Sequence, residues 1–216
     1  MVQKLPMGGP DAPPRRRGRP RGYDPAKALD LARDAFWQTG YAATSLDDLA
    51  AATGLNRPSL YGAFGDKQAL YLAALEKSRA ELGASLAAAL APDEPLRQAL
   101  ERVYSLTAGI YVRGEQAQRG CFLIGTAVTE AVSDLEIRRV LRLALDEIDA
   151  LFEARLRRAQ AAGDLAADAN VAGLAKLATA TMNGMAVRAR AGGDLAVLTV
   201  FGDALIEAIC GRPADL

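Results

Sequence analysis

The chain contains no histidine. That absence excludes histidine-based catalytic triads and any imidazole switch working between about pH 5 and 8. Cysteine is nearly absent: Cys121 and Cys210 stand far apart, with no CxxC pair. A zinc site needs several nitrogen or sulfur ligands, so no metal site is expected. Aromatic residues are only 6% of 216, although half the chain is hydrophobic. With alanine abundant, that balance favours close-packed helices over a β-rich fold. No stretch approaches the ~18 consecutive apolar residues of a membrane span, and the N-terminus has no apolar leader core. The chain is therefore expected to be cytoplasmic, away from membranes, with reduced cysteines. Carboxylates are scattered, the glycines build no phosphate loop, and Cys121 has no sequence neighbour to activate it. No catalytic residue, enzyme activity or cofactor is expected.

Charge is present but unevenly placed. The formal net charge is zero, yet residues 1–22 carry Lys4, Arg15, Arg16, Arg17, Arg19 and Arg21 against Asp11 alone, a net of +5. The remainder is then −5. A basic arm ahead of an acidic body puts phosphate attraction at one end. Within it, RRRGRPRG (Arg15–Gly22) is of a kind that can lie in a narrow minor groove, with Arg19 and Arg21 as the contacts, the alternative being a solubilising, non-specific tail. Met1–Pro14, rich in Gly and Pro without periodicity, reads as disordered.

The most informative stretch is TSLDDLAAATGLNRPSLYGAFGDK, Thr44–Lys67. Ser45 is placed to cap a helix, with Asp48 in the capping-box position. Leu46, Leu49, Ala50 and Thr53 follow at helical spacing, and Gly54 stops the helix. Asn56 caps a second helix whose first turn tolerates Pro58, and Leu60 and Phe64 face its core. This predicts a helix–turn–helix. Arg57, Pro58 and Ser59 lie at the end that such a motif presents to base edges, and Arg57 suits a bidentate contact to guanine. Thr44, Ser45, Tyr61, Gly62 and Lys67 complete the predicted DNA-binding set. Thr44, Tyr61 and Lys67 are expected on phosphates, Lys67 where a helix start also favours an anion.

The run GYAATSLDDLAAATGLNRPSLYGAFGDKQALYLAAL, Gly40–Leu75, resembles the DNA-binding signature of the TetR family of bacterial transcriptional regulators. The match extends back to Gly18 and covers roughly a quarter of the chain closely. The resemblance implies a homodimer, an effector pocket in the C-terminal domain, and repression relieved by a ligand. Gly62 and Ala63 are smaller than the aromatic and histidine residues often found there in the family, which leaves more of the readout to Arg57 and the arm.

The expected fold is all-α: a disordered basic arm over 1–22, a three-helix DNA-binding domain over 23–68, and a larger helical effector-binding and dimerisation domain over 69–216. The first helix starts at Asp24-Pro25 and turns Ala28, Leu29, Ala32, Ala35 and Phe36 inward. A long helix from Asp66 to about Leu90 links the domains. Pro92 and Pro95 mark a boundary, and a helix from about Glu94 to Val112 is predicted, with Leu96, Leu100, Val103, Leu106 and Ile110 inward. Then come a loop over 114–120, a buried helix over 121–132, and a long helix capped by Asp134 and ended by Gly163. Two final helices, about 168–190 and 194–209, are apolar on more than one side. Such helices need a second burial partner, which a homodimeric four-helix bundle supplies. The resemblance places a small-molecule effector among the middle helices, with candidates Tyr104, Thr107, Tyr111, Phe122, Thr126, Phe152, Met182 and Met185. Their character suits an apolar or aromatic ligand held by a few hydroxyls.

The leading reading is a sequence-specific regulator, a repressor released from double-stranded operator DNA by a small ligand. Second stands a regulator controlled by a protein partner or by chemistry at Cys121, which starts a helix near Arg119. Third is an architectural DNA binder without an effector.

Overall fold

The computed structural model describes residues 23–91, 93–112 and 119–211, and among these the regular structure is entirely helical. The basic arm with Arg19 and Arg21, and most of the predicted 114–120 loop, lie outside the described residues.

Helix α1 (Pro25–Thr39) starts as its sequence dictates. Asp24 Oδ1 accepts from Ala26 N at 2.9 Å, and Pro25 occupies the first turn, where its missing N–H costs nothing. Helices α2 (Leu46–Thr53) and α3 (Arg57–Phe64) follow, and α4 (Lys67–Leu90) runs on from the Asp66 cap. Ala28, Ala32 and Phe36 of α1, Leu49 of α2 and Leu60 of α3 are buried, but three short helices enclose too little apolar surface to stand alone. Their core is completed from elsewhere: Leu70, Tyr71, Ala74 and Leu75 of α4, Phe122 and Leu123, and the start of the long helix α7 (Leu135–Ala162).

The second core gathers around α5 (Leu96–Tyr111), the far ends of α4 and α7, and the closing pair α8 (Val171–Arg190) and α9 (Leu195–Cys210). Helix α4 thus contributes to both cores, Leu75 to one and Leu86 to the other. Helices α5 and α9 approach closely at Gly202, where a Cβ would stand 2.8 Å from Tyr104 Cβ.

Two expectations change. In α5, Leu106 and Ile110 are exposed at 54% and 49%, while Tyr104, Thr107, Ala108 and Tyr111 are buried. The buried stripe steps through 96, 100, 103–104, 107–108 and 111, so Leu106 and Ile110 fall on the opposite flank. The segment 121–132 is not one buried α-helix. It opens with a π-helical stretch, Leu123–Ala127, and passes into a single turn, α6 (Val128–Glu130). Phe122, Leu123, Thr126 and Ala127 are buried, but Val128 and Val132 are exposed. A π turn holds one residue more than an α turn and rotates everything after it.

Candidate nucleic-acid interface

The turn between α2 and α3 is built from local capping. Ser45 Oγ accepts from Asp48 N at 3.1 Å, and Asp48 Oδ2 accepts from Ser45 N at 2.8 Å, a complete capping box. Gly54 takes the left-handed conformation (φ 68°), which only glycine adopts freely, and turns the chain. Asn56 Oδ1 then accepts from Ser59 N at 2.9 Å and starts α3.

This leaves Arg57, Pro58, Tyr61 and Gly62 exposed along one side of α3, with Ser59 partly covered. Arg57 does not stand alone. Its Nε and Nη2 donate to Asp47 Oδ1 and Oδ2 at 2.8 and 2.6 Å, a bidentate pair across the turn. The pair holds the Asp47 carboxyl below its usual range, chiefly through hydrogen bonding, and raises the guanidinium in turn. Asp47 carried no sign of a role in the sequence; its place on α2, ten residues before Arg57, becomes a contact only when α3 folds back.

Lys67, the first residue of α4, sits with Nζ 4.4 Å from the Tyr41 ring centroid, a cation–π contact that fixes its direction. The Tyr41 ring lies tilted against Tyr71, with centroids 4.7 Å apart, and burial pushes its phenol up. Ser45 is exposed, with its hydroxyl engaged by Asp48. Thr44 is the correction. It is 1% exposed, its hydroxyl donates to Gly40 O at 2.6 Å, and Thr39 Oγ1 lies 2.7 Å away. The side chain ties the end of α1 to the start of α2 and has no free atom for a phosphate.

Behind this surface the first helix is locked to the body. Trp37 Nε1 donates to Arg119 O at 2.9 Å, and Arg190, at the end of α8, donates to Trp37 O at 3.0 Å. Tyr71 Oη donates to Thr126 Oγ1 at 2.7 Å, which donates to Phe122 O at 2.8 Å. Gly120 makes the approach possible: its φ is +61°, and a Cβ there would stand 2.3 Å from Ala186 O.

A cavity of ≈ 260 Å³ opens at this junction. Arg33 and Trp37 of α1 and Ser78, Glu81 and Leu82 of α4 form one side; Ile110, Tyr111 and Gly120–Leu123 form the other. Of the predicted ligand residues, only Tyr111 and Phe122 line it. Met182 borders, with Tyr111, a narrow void of ≈ 10 Å³. The others are packed as core. Tyr104 Oη is bonded to Ala178 O and its ring lies 6.3 Å from Phe152, Thr107 and Met185 are buried, and Thr126 is occupied with Tyr71. The helix start does favour a Cys121 thiolate, through the backbone amides of Ile124 and Leu123, but burial outweighs them and pushes the thiol up, and the expected arginine, Arg119, is engaged elsewhere, with Asp34 at 3.2 Å. Among the described residues no cluster suits a metal ion, and no helix is long and apolar enough to cross a membrane.

Comparison with known proteins fits this arrangement. Residues 28–74 match the family described as bacterial regulatory proteins, tetR family, and residues 92–205 match the tetracyclin repressor-like C-terminal domain. The Escherichia coli (strain K12) HTH-type transcriptional repressor ComR is 32% identical over 180 residues, 83% of this chain and 85% of that protein. The TetR family regulator CifR, solved as a cysteine mutant with 26 bp double-strand operator DNA, is 30% identical with a TM-score of 0.80, covering 88% of this chain and 99% of that one. Reduced E. coli NemR shares the fold at 18% identity, with a TM-score of 0.74 over 88% of this chain and 99% of that one. On these matches, together with the capped helix–turn–helix and the helical body behind it, the chain belongs to the TetR family of DNA-binding transcriptional regulators.

Proposed function

We propose that the protein is a homodimeric repressor that binds an operator through α3 and releases it when a small apolar or aromatic molecule enters the junction cavity. The observation that carries this reading is the sharing of the cavity wall. Arg33 and Trp37 lie on α1 of the DNA-binding domain, Ile110 and Tyr111 on α5 of the body, and Gly120–Leu123 on the segment between them. A ligand that fits only one separation of these walls biases the position of α3 by its differential affinity for the two arrangements. Trp37, Leu82, Tyr111, Phe122 and Leu123 offer it apolar and aromatic surface.

On the DNA side, Arg57, Pro58 and Ser59 face base edges, Tyr61 and Lys67 face phosphates, Ser45 and Gly62 lie at the rim, and Arg19 and Arg21 follow the minor groove. Thr44 acts from inside, by holding α1 to α2. The names of the relatives, a repressor and a regulator solved with operator DNA, support the direction of control. The dimer is supported by Leu177 and Val187 of α8 and Leu195, Val197 and Val200 of α9, which are exposed in the single chain. Apolar surface concentrated on two adjacent helices calls for a partner surface of the same kind.

The test is binding of the purified protein to DNA from upstream of its own gene, read by anisotropy against scrambled DNA. A preference of about a thousandfold or more places it among true operator binders. Neutral aromatic compounds are then screened for release of that DNA. Leu82→Trp, which fills the cavity, should retain operator binding and lose the response. Release that survives Leu82→Trp would move the effector elsewhere. Equal affinity for scrambled DNA would overturn the operator reading.

A further inference from the structure

Two adjacent carboxylates open α2, and they are used differently. Asp48 turns back on its own helix, where its Oδ2 accepts from both the amide and the hydroxyl of Ser45. Asp47 turns outward, across the turn, to Arg57. The geometry of that pair is selective. A guanidinium has two donor forks: a side-on fork from Nε and Nη2, and an end-on fork from Nη1 and Nη2. Asp47 takes the side-on fork, through Nε at 2.8 Å and Nη2 at 2.6 Å. Among the described residues Arg57 has no other hydrogen-bond partner, so both Nη1 hydrogens and one on Nη2 remain. The two that lie parallel form the end-on fork, which matches the O6 and N7 acceptors of guanine.

An unsupported arginine at a helix start samples many rotamers and must lose that freedom on binding. Held by a carboxylate on the neighbouring helix, it loses less, and it presents one fork in one orientation. The same carboxylate is a like charge near DNA phosphates and weakens binding to every sequence. Asp47 therefore trades general affinity for discrimination at one base pair.

Building on the reading that α3 enters the major groove, we propose that Asp47 is a specificity-determining positioning residue, which clamps Arg57 side-on so that its end-on fork meets a guanine. Asp47 need not touch DNA to do this.

The experiment uses the full chain and a randomised duplex pool. The duplex that the wild type selects, and its single-base-pair variants, are then titrated against wild type, Asp47→Ala, Asp47→Asn, Arg57→Ala and the Asp47→Ala/Arg57→Ala double variant. Arg57→Ala identifies the base pair whose guanine preference depends on Arg57. At that base pair Asp47→Ala should lower the preference by about threefold or more. Preferences elsewhere should hold, and affinity for scrambled DNA should rise. Asp47→Asn, which keeps one acceptor oxygen, should fall between. The double variant should show the same preference as Arg57→Ala alone. The loss should persist as salt is raised, because it is a ratio between two duplexes of equal charge. If Asp47→Ala instead tightens all duplexes by one factor and leaves the preference intact, Asp47 is only a repelling charge and the proposal falls. If Arg57→Ala changes no preference, the major-groove reading of Arg57 falls first. Asp47 is exposed and makes none of the α2 caps, so its variants should lose only what one exposed ion pair supplies and melt close to the wild type.

Discussion

The recognition surface and the junction behind it are built on opposite plans. Around α2 and α3 the ordering contacts are short-range: Ser45 to Asp48, Asn56 to Ser59, Asp66 to Ala69. Each satisfies a helix end that would otherwise be open, and each is read from a few consecutive residues. At the junction the contacts span the chain: Trp37 to Arg119, Tyr71 to Thr126, Arg190 to Trp37. The first plan gives a rigid element that can be carried as a unit. The second ties that unit to the body at a few points beside a cavity.

The sharpest way to break the contrast is at Gly120. Gly120→Ala adds a Cβ to a residue with φ +61° and drives it into the Ala186 carbonyl. Strain and overpacking together should cost about 3 kcal/mol or more, seen as a large fall in Tm. An unchanged Tm would mean that the junction is loose. On the recognition side, Arg57→Ala should leave the fold alone and reduce discrimination roughly ten- to hundredfold at one base pair, measured on single-base operator variants. Ser45→Ala removes an N-cap and should destabilise by about 1 kcal/mol in denaturant titrations. A loss several times larger would show that the capping box carries long-range structure too. Lys67→Ala should weaken operator and scrambled DNA alike and flatten the salt slope by about one unit.

The smallest effect tests both regions together. With no histidine, stability should be level across roughly pH 6 to 8. Asp47 and Asp48 are held low in the folded state, so their contribution is present above the ordinary carboxylate range and lost as pH falls below about 4. Tyr71, Tyr104, Tyr111 and Cys121 are raised by burial. Their contribution is complete below the unfolded values and is lost as pH rises past about 9 to 10. Thermal melts from acid to alkali should therefore show a plateau with two shoulders. A transition near neutrality would contradict the assignment.

The two plans also explain what could be read in advance. The helix starts at Asp24-Pro25, Ser45, Asn56, Asp66 and Asp134 and the stops at Gly54 and Gly163 are where the sequence pattern put them, because a cap involves neighbours only. Thr44 escapes such a pattern for the same reason. Its surroundings in sequence are a loop and a cap, and its burial comes from the end of α1. The flank of α5 that bears Leu106 and Ile110 is as apolar in sequence as the buried one, and packing against α9, α4 and α8 decides between them. The cavity drew just Tyr111 and Phe122 from the predicted ligand set, because its other wall is formed by α1 and α4, elements whose sequence already had another explanation. A π turn leaves no mark in residue type at all.

Trp37 is the sole tryptophan of the chain and stands where the two plans meet, with its ring in the cavity wall, its N–H on Arg119 O and its ring centroid 5.8 Å from that of Phe122. Emission excited at the indole band therefore reports from one known place. The colour of that emission follows the wetness of the cavity, and its intensity follows the distance to whatever enters. The protein carries an optical gauge of its own junction, readable without a label and without DNA.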